Sequence, residues 1–399
     1  MNGEIYLDYH ATTPLDPRVL AVFVESLTHT FGNASSVDHT HGDRAAEVVA
    51  DARREVAELM GARSNNVVFT SGATESVNIV LQGMALDRVE RRNGPPLRVA
   101  ATRVEHPAVL ETCLGLERRG LASITWLPVD MCARLDLDAF EVACHRGLDI
   151  ACIIAAHNEV GTIQPMQIIA EVAQRAGVPI LFDTTQAAGR IPINFSALGE
   201  PYLVLSAHKM YGPKGIGAVV LPKDAPISPV MFGGGQQRGI RPGTLPVPSI
   251  AAFGEAARLR RAEMSIDEAG IGTLRDRLQM RLVEALPSLA VNGDTQHRLA
   301  GNLHVSVPGV HNSTVTARLR DHVALATGSA CSSGVEAPSR SLREMGLPDE
   351  AVRGAFRLGL GKFTTDADVE CAADLFIEAV MDVQAAMRAG ARADSDVEL

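Results

Sequence analysis

Lysine is scarce in this sequence. Only four of its 37 basic residues are lysines, and they stand at Lys209, Lys214, Lys223 and Lys362. Uninterrupted apolar segments are short, and none approaches the roughly 20 residues that a membrane-spanning helix requires. The first residues, Met1–Asp8, contain no apolar stretch of the kind found in a signal peptide. We therefore expect a cytoplasmic protein with no membrane partner.

Positive charge is also in deficit, since the formal net charge is −10. Proteins that bind nucleic acid directly present a basic patch to the phosphates, and no such patch stands out here, so we expect no direct nucleic-acid partner. The six cysteines form no C-x-x-C pair, which favours reduced thiols over a disulfide framework. His39 and His41 are close in sequence, but no carboxylate pair accompanies them, and we predict no metal site.

Short apolar segments alternate with segments of helical periodicity through the first two thirds of the chain. The predicted strands are Val67–Thr70, Leu97–Thr102, Ile150–Ala156, Val178–Phe182, Tyr202–Leu205 and Ile216–Leu221. Continuously apolar strands separated by helices are typical of a mostly parallel sheet that is covered on both faces. The predicted fold class is therefore α/β, with a sheet sandwiched by helices.

The remainder of the chain has a different pattern. A long helix is predicted from about Ile250 to Leu286, and the strands and helices that follow it suggest a smaller α+β domain. We expect a large domain at residues 15–260 and a small domain formed by residues 1–14 and 261–390. The polar, acidic residues 391–399 predict a disordered tail.

Polar side chains collect just after the ends of the predicted strands. They are Thr74, His106, Asn158, Asp183, Gln186, Ser206, His208 and Lys209. In an open α/β sheet, ligands bind at the carboxyl edge of the strands. One polar residue after a strand is expected of any loop, but eight such residues, including an amine and a carboxylate, indicate a binding site.

The residue types at this edge suit pyridoxal 5'-phosphate. Lys209 can hold the cofactor as an imine, and Asp183 can pair with the ring nitrogen and keep it protonated. The Ser71–Thr74 turn, between a strand and a helix, offers backbone N–H groups to a phosphate. Each feature also has a structural alternative: Asp183 as a helix cap, His106 as a structural histidine, and the turn as an ordinary connection.

Eight ordered motifs between about residue 5 and residue 380 resemble those of the cysteine desulfurases, a group of the class V aminotransferase superfamily. They are YLDYHATTP, FTSGATES, EHPAVL, HNEVGTIQP, DTTQAAG, SAHKMYGPKG, FGGGQQRGIRPGTLP and ATGSACSSG. The resemblance implies a fold-type-I homodimer that depends on pyridoxal 5'-phosphate and converts L-cysteine to L-alanine. It also implies sulfur delivery to an acceptor protein, for iron–sulfur assembly, tRNA thiolation or DNA phosphorothioation.

The resemblance implies roles for individual residues around the cofactor ring. Lys209 is similar to the Schiff-base lysine and Asp183 to the partner of the ring nitrogen. His106 is similar to the ring-stacking acid–base group. Asn158 and Gln186 are similar to the partners of the ring hydroxyl.

The phosphate and the substrate have implied partners of their own. The implied phosphate cradle consists of Ala73, Thr74, Ser206 and His208, completed by Thr244 of the neighbouring subunit. Arg357 resembles the arginine that grips the substrate carboxylate, with Asn158 beside it, and a bidentate task of this kind suits a guanidinium.

Cys331 resembles the cysteine that accepts the sulfur. A thiol that meets the substrate and then carries a persulfide outward needs a mobile loop, and the small residues of TGSACSSG suit such a loop. A cysteine merely tolerated in a loop is the alternative. Two other functions are alternatives. Another class V enzyme, such as a selenocysteine lyase or an aminotransferase, would not need this thiol. A regulator that binds the cofactor without catalysing a reaction would need neither this thiol nor the catalytic lysine.

The sequence departs from the family pattern at several positions. Gly359 stands where serine is common, Lys362 where arginine is common, and Ala207 where glycine is more frequent. His10 and His157 add imidazoles to which the sequence assigns no role. These departures affect the expected geometry of carboxylate binding rather than the expected reaction.

Overall fold

The computed structural model describes residues 4–91, 94–328 and 338–397. Its strands are β1 (Ile5–Tyr6), β2 (Val67–Thr70), β3 (Leu97–Thr102), β4 (Ala122–Leu127), β5 (Ile150–Ile154), β6 (Ile180–Asp183), β7 (Tyr202–Ser206), β8 (Gly217–Val220), β9 (Ala290–Val291), β10 (Asn302–Ser306), β11 (Val323–Ala324) and β12 (Ala355–Gly359). Its helices are α1 (Pro17–His29), α2 (Thr40–Leu59), α3 (Ala73–Leu86), α4 (Pro107–Arg118), α5 (Leu137–His145), α6 (Met166–Arg175), α7 (Val247–Ala285), α8 (Asn312–Leu319), α9 (Arg340–Glu344), α10 (Asp349–Arg353) and α11 (Asp366–Val397).

The main sheet has the strand order β2-β8-β7-β6-β5-β3-β4. Strand β8 runs antiparallel to both of its neighbours, while the pairs from β7 to β4 are parallel. Every residue of β5 and β7 is buried, as the uninterrupted apolar pattern predicts. The predicted α/β class with a mostly parallel sheet is therefore confirmed.

Helices cover both faces of this sheet. Successive residues of a strand point to opposite faces, so Phe182 of β6 packs toward α2, α6 and α7, while its neighbour Leu181 packs toward α3 and α4. In β5, Ile153 packs on the same face as Phe182, and Cys152 packs on the same face as Leu181. The two apolar layers hold the sheet rigid, and the carboxyl ends of its parallel strands meet at one edge.

A second core lies beyond the main sheet. Strands β12, β10 and β9 form an antiparallel sheet, and β1 pairs with β11. Phe356 and Leu358 of β12 pack against helices α7 and α11, and Leu7 joins them from the N-terminal segment. Helix α7 is continuous: Ile250 and Phe253 near its start belong to the main core, and Leu278 belongs to the second.

The C-terminal tail differs from its prediction. The sequence predicts disorder over residues 391–399, but α11 continues to Val397, and residues 398 and 399 lie outside the described part of the chain. Alanine and arginine, both strong helix formers, recur through the last turns. Among the described helices, none combines the length and the apolar character needed to cross a bilayer.

Candidate active site

A cavity lies where the carboxyl edge of the main sheet meets the second core. Its lining residues are His10, Ala11, Ala73, His106, Ile154, Ala156, Asn158, Asp183, Thr185, Gln186, Lys209 and Arg357. Seven of these are residues that the sequence predicts for the site: Ala73, His106, Asn158, Asp183, Gln186, Lys209 and Arg357. They come from segments up to 284 residues apart along the chain, so the fold itself assembles the site.

Lys209 follows β7 in a short 3-10 turn, Ala207–Lys209. Its Nζ donates to the backbone oxygen of His10 at 2.6 Å and of Ala11 at 2.8 Å. These contacts hold the amine between the main sheet and the N-terminal segment. The scarce lysine therefore stands at the wall of the cavity.

Asp183 is the last residue of β6 and is almost fully buried. Its Oδ1 accepts from the backbone N–H of Thr185 at 3.0 Å. The structural alternative is thus partly correct, since the carboxylate does stabilise a turn. It also lines the cavity, and a buried carboxylate there is a partner for a cationic or protonated ring.

His106 likewise both caps a helix and lines the cavity. It caps helix α4, and its Nδ1 accepts from the backbone N–H of Ala108 at 3.1 Å. Because Nδ1 accepts in this contact, the proton of the neutral ring resides on Nε2. His106 also lines the cavity, so one residue both caps a helix and forms part of the cavity wall.

Arg357 enters the cavity from β12 of the second sheet and is 1% exposed. Its Nη1 donates to the backbone oxygen of Asn158 at 2.9 Å, and its Nη2 donates to Asp8 Oδ1 at 2.8 Å. Its Nε is buried and has no hydrogen-bond partner among the described residues. Sequence reasoning missed Asp8, because its role depends on pairing across 349 residues of chain.

His10, Gln186 and Arg190 form a buried network behind Lys209. Arg190 Nη1 donates to Gln186 Oε1 at 2.6 Å and contacts His10 Nδ1 at 2.8 Å, while Gln186 Nε2 donates to the His10 backbone oxygen at 2.9 Å. Burial, together with the charges of Arg190 and Arg357, holds the pKa of His10 well below its usual value. No sequence pattern singles out Arg190, which is placed only by the fold.

The predicted phosphate cradle is only partly at the cavity. Ala73, at the start of α3, lines it, and a Cβ added to Gly72 would lie 3.7 Å from Ser206 Oγ, so Ser206 borders the same turn. Thr74 is exposed and lines a neighbouring groove with Glu75 and Arg241. The start of α3 nevertheless presents a helix N-terminus to the cavity edge.

Two further predicted residues, His208 and Thr244, do not line the cavity, and a third is outside the described part of the chain. His208 is half-buried, its Nδ1 lies 3.1 Å from Thr12 Oγ1, and burial and the nearby Lys209 charge lower its pKa to about 4. Thr244 is exposed and does not line the cavity of this chain. Cys331 lies outside the described residues.

Of the residues that depart from the family pattern, some lie at the cavity and others away from it. Lys362 pairs with Glu263 at 2.5 Å and Asp16 at 3.1 Å and does not line the cavity. His157 is buried next to Asn158, and its Nδ1 accepts from the backbone N–H groups of Glu159 and Val160, each at 3.2 Å. Of the unassigned imidazoles, His10 is the one that lines the cavity.

Comparison with known proteins identifies the family. The family described as aminotransferase class-V matches residues 5–371, which is most of the chain. The chain belongs to the class V aminotransferase family. A relative in this family, cysteine desulfurase IscS of Anaeromyxobacter dehalogenans (strain 2CP-C), is 40% identical over 382 residues, covering 95% of this chain and 93% of the relative.

Solved structures of the family share the fold. A NifS-like protein superposes with a TM-score of 0.86 at 30% identity, covering 95% of this chain and 99% of that one. SspA in complex with cysteine gives a TM-score of 0.77 at 28% identity, covering 90% of this chain and 99% of that one. These matches confirm the resemblance to cysteine desulfurases and the fold class that the sequence predicts.

Proposed function

We propose that this class V enzyme is a cysteine desulfurase that depends on pyridoxal 5'-phosphate, converts L-cysteine to L-alanine and leaves the sulfur on Cys331 as a persulfide. The observation that carries the proposal is the convergence of Lys209, Asp183, His106 and Arg357 on one cavity. Each of these four side chains has a separate task in that reaction. The name of the relative and the cysteine bound by SspA support the choice of substrate.

The residues of the cavity suit the proposed cofactor. Lys209 supplies an amine for the aldehyde, the buried carboxylate of Asp183 suits a protonated ring nitrogen, and the start of α3 at Ala73 suits a phosphate. When bound, pyridoxal phosphate supplies an electron sink that stabilises negative charge at the substrate Cα. The other tasks fall to the side chains of this chain.

Arg357 would bind the substrate carboxylate. Its guanidinium is already oriented by Asn158 and Asp8, which limits the freedom it must lose when the substrate binds. Proton transfers at the substrate would fall to Lys209, and the Nε2–H of His106 is the second candidate, since its Nδ1 is occupied by the Ala108 N–H. Arg357 sets the position of the substrate, and these two groups move protons around it.

The described residues on either side of Cys331 support its assignment as the sulfur acceptor. Ala326 pairs with Arg357 through backbone hydrogen bonds of 2.7 and 3.2 Å. On the other side, Ser339 Oγ donates to Glu159 Oε2 at 2.6 Å, next to Asn158. Both described flanks of the segment that contains Cys331 therefore contact residues next to or within the cavity wall.

The proposed assembly is a homodimer that hands sulfur to an acceptor protein. Thr244 is exposed, and Phe232 in the same segment is 91% exposed. Thr74 and Arg241 line a groove near the start of α3. A second copy that contributes Thr244 to this region would complete the phosphate cradle. The direct partner is proposed to be a protein, because the acidic chain does not suit nucleic acid.

Incubation of the purified holoenzyme with L-cysteine tests the proposal. Wild type is expected to release alanine and to carry a persulfide, and Cys331→Ala is expected to bind the cofactor yet release almost no alanine. Cys371→Ala removes an exposed thiol on α11 and is the matched control. Normal alanine release by Cys331→Ala would contradict the nucleophile assignment, and transamination without persulfide in wild type would indicate an aminotransferase instead.

A further inference from the structure

The side chain of His10 forms part of the cavity wall, yet the proposed reaction assigns it no task. His10 is 1% exposed. Its backbone oxygen accepts a hydrogen bond from Lys209 Nζ. Its Nε2 is buried and has no hydrogen-bond partner among the described residues. A buried polar group without a partner is costly, so its presence at a ligand cavity needs a reason.

The contacts of the ring decide where its proton resides. Arg190 Nη1 lies 2.8 Å from Nδ1, and a guanidinium can only donate, so Nδ1 accepts and Nε2 carries the proton. Gln186 Oε1 also lies 3.2 Å from Nδ1, but it accepts from the same Arg190 nitrogen at 2.6 Å, and the shorter contact decides the tautomer. His10 therefore offers an N–H donor to the cavity.

The ring lies beside Arg357. Residues 357 and 359 are two apart on β12 and so point to the same face of the strand. A Cβ added to Gly359 would lie 2.9 Å from Cδ2 of the His10 ring. The imidazole therefore occupies the space that a side chain at position 359 would fill, next to the guanidinium that the proposed function assigns to the substrate carboxylate.

Two buried N–H groups on this wall, His10 Nε2 and Arg357 Nε, are without partners in the described structure. An anion with two acceptor oxygens is the ligand class that satisfies both. We propose that His10 is a substrate-specificity residue whose Nε2–H donates to the α-carboxylate of the amino-acid substrate beside Arg357. The inference rests on the proposed function for the identity of the substrate and deepens it by naming a second carboxylate donor.

Two substitutions separate this role from a structural one. His10→Asn keeps an acceptor near the position of Nδ1, where Arg190 donates, but removes the distal N–H. His10→Gln retains a distal N–H that can reach the position of Nε2. His145→Asn, the same substitution at an exposed histidine on α5, is the matched control.

Dissociation constants measured by calorimetry on the holoenzymes provide the readout. L-alanine carries the amine and the carboxylate, whereas cysteamine carries the amine and the thiol but no carboxylate. His10→Asn is expected to weaken L-alanine binding about tenfold, the effect of one hydrogen bond to a charged group, and to leave cysteamine binding unchanged. His10→Gln is expected to recover most of that loss, and the KM for L-cysteine should follow the same order with little change in kcat.

Gly359→Ala provides a second variant in which both donors remain. The added Cβ would lie 2.9 Å from the His10 ring and 3.1 and 3.2 Å from the backbone nitrogens of Tyr9 and His10, so the ring must shift. L-alanine binding should therefore weaken while cysteamine binding does not. Unchanged L-alanine binding in His10→Asn, or an equal loss for cysteamine, would overturn the inference. A wild-type enzyme that releases no alanine from L-cysteine would overturn the proposed function instead, and the L-alanine measurement would still decide the role of His10.

Discussion

At the scale of single residues, one substitution can separate the observed structural contact of Asp183 from the chemical role proposed for it. Its Oδ1 accepts from the Thr185 N–H, and the same carboxylate lines the cavity. An asparagine at this position retains the acceptor oxygen but loses the charge. The sequence leaves a cap and a cofactor partner as alternatives; the structure shows the turn contact and a place in the cavity wall, and the cofactor role stays a proposal.

Asp183→Asn is therefore expected to fold normally and to lose activity. Without the negative charge the protonated ring nitrogen is no longer favoured, and we expect alanine release to fall by about a hundredfold or more. Alanine release from L-cysteine under saturating cofactor measures the loss, and the melting temperature reports the fold. A variant that melts several degrees lower while keeping full activity would show that the carboxylate acts only as a cap.

The site residues that the residue pattern predicts stand at or just after the ends of strands, whereas Arg357, in the middle of β12, is predicted only through the family resemblance. Lys209, Asp183 and His106 each stand where a buried segment ends, and motif spacing makes them visible. Asp8 and Arg190 were not predictable, because each acts through a partner far away in the chain. A pattern along the chain does not encode which distant backbone oxygen a guanidinium will meet.

At the scale of elements, the prediction succeeds for strands that are buried throughout, including the edge strand β2, and fails for the half-exposed edge strand β4. Strands β5 and β7 are continuously apolar and were predicted to within about two residues. Strand β4 is absent from the sequence predictions because partly buried residues alternate with exposed ones between its buried ends and no apolar run develops. Helix α1 is also absent from the sequence predictions, although Asp16 before Pro17 is a helix-start signal, and Asp16 caps α1 in the structure.

Close contact between α2 and α7 yields an element-scale prediction. A Cβ added to Gly254 would lie 2.5 Å from the Ala52 Cα, so Gly254→Ala forces the helices apart. Overpacking costs about 1–3 kcal/mol, which exceeds the helix-propensity gain of about 1 kcal/mol from replacing glycine by alanine. We expect a lower melting temperature for this variant.

Gly270→Ala is the matched control on the same helix. An added Cβ there meets nothing within 4 Å, so only the propensity gain remains and the melting temperature should rise slightly. Thermal unfolding by circular dichroism compares the two variants directly. Equal shifts for both would mean that the close approach of α2 and α7 does not limit packing.

At the scale of the whole molecule, two cores share one helix and one cavity. The second core draws on Leu7 and on residues from Ile271 to Val383. We propose on this basis that residues 15–260 form the cofactor-binding domain and that residues 1–14 and 261–390 form the smaller one. The cavity then lies between domains, with Lys209 from one and Arg357 from the other.

An ionic cluster connects the same parts of the chain. Glu263 on α7 accepts from Arg18 on α1 and from Lys362 before α11, each at 2.5 Å. The hydrogen bond from Arg18, followed by that from Lys362, lowers the pKa of Glu263 to about 2. A carboxylate with a lowered pKa stabilises the fold above its unfolded pKa, and that contribution is lost as the pH falls toward the folded value.

Glu263→Gln should therefore lower the melting temperature by roughly 2 °C at neutral pH, the scale of a partly exposed ion-pair network. The difference from wild type should remain full above about pH 5 and close as the pH falls through 4 toward 2. Melting curves at a series of pH values measure it, with Glu47→Gln, an exposed residue of α2, as the control. A difference that stays constant down to pH 2 would contradict the role of ionised Glu263.

The central claim is that the ε-amine of Lys209 holds pyridoxal phosphate at the wall of the shared cavity. Reduction of the cofactor-loaded protein with borohydride, followed by peptide mass mapping, tests it most directly. We expect a pyridoxyl group on Lys209 in wild type and in Lys223→Ala, and none at this position in Lys209→Ala. A protein that takes up no cofactor, or a label confined to another lysine, would contradict it.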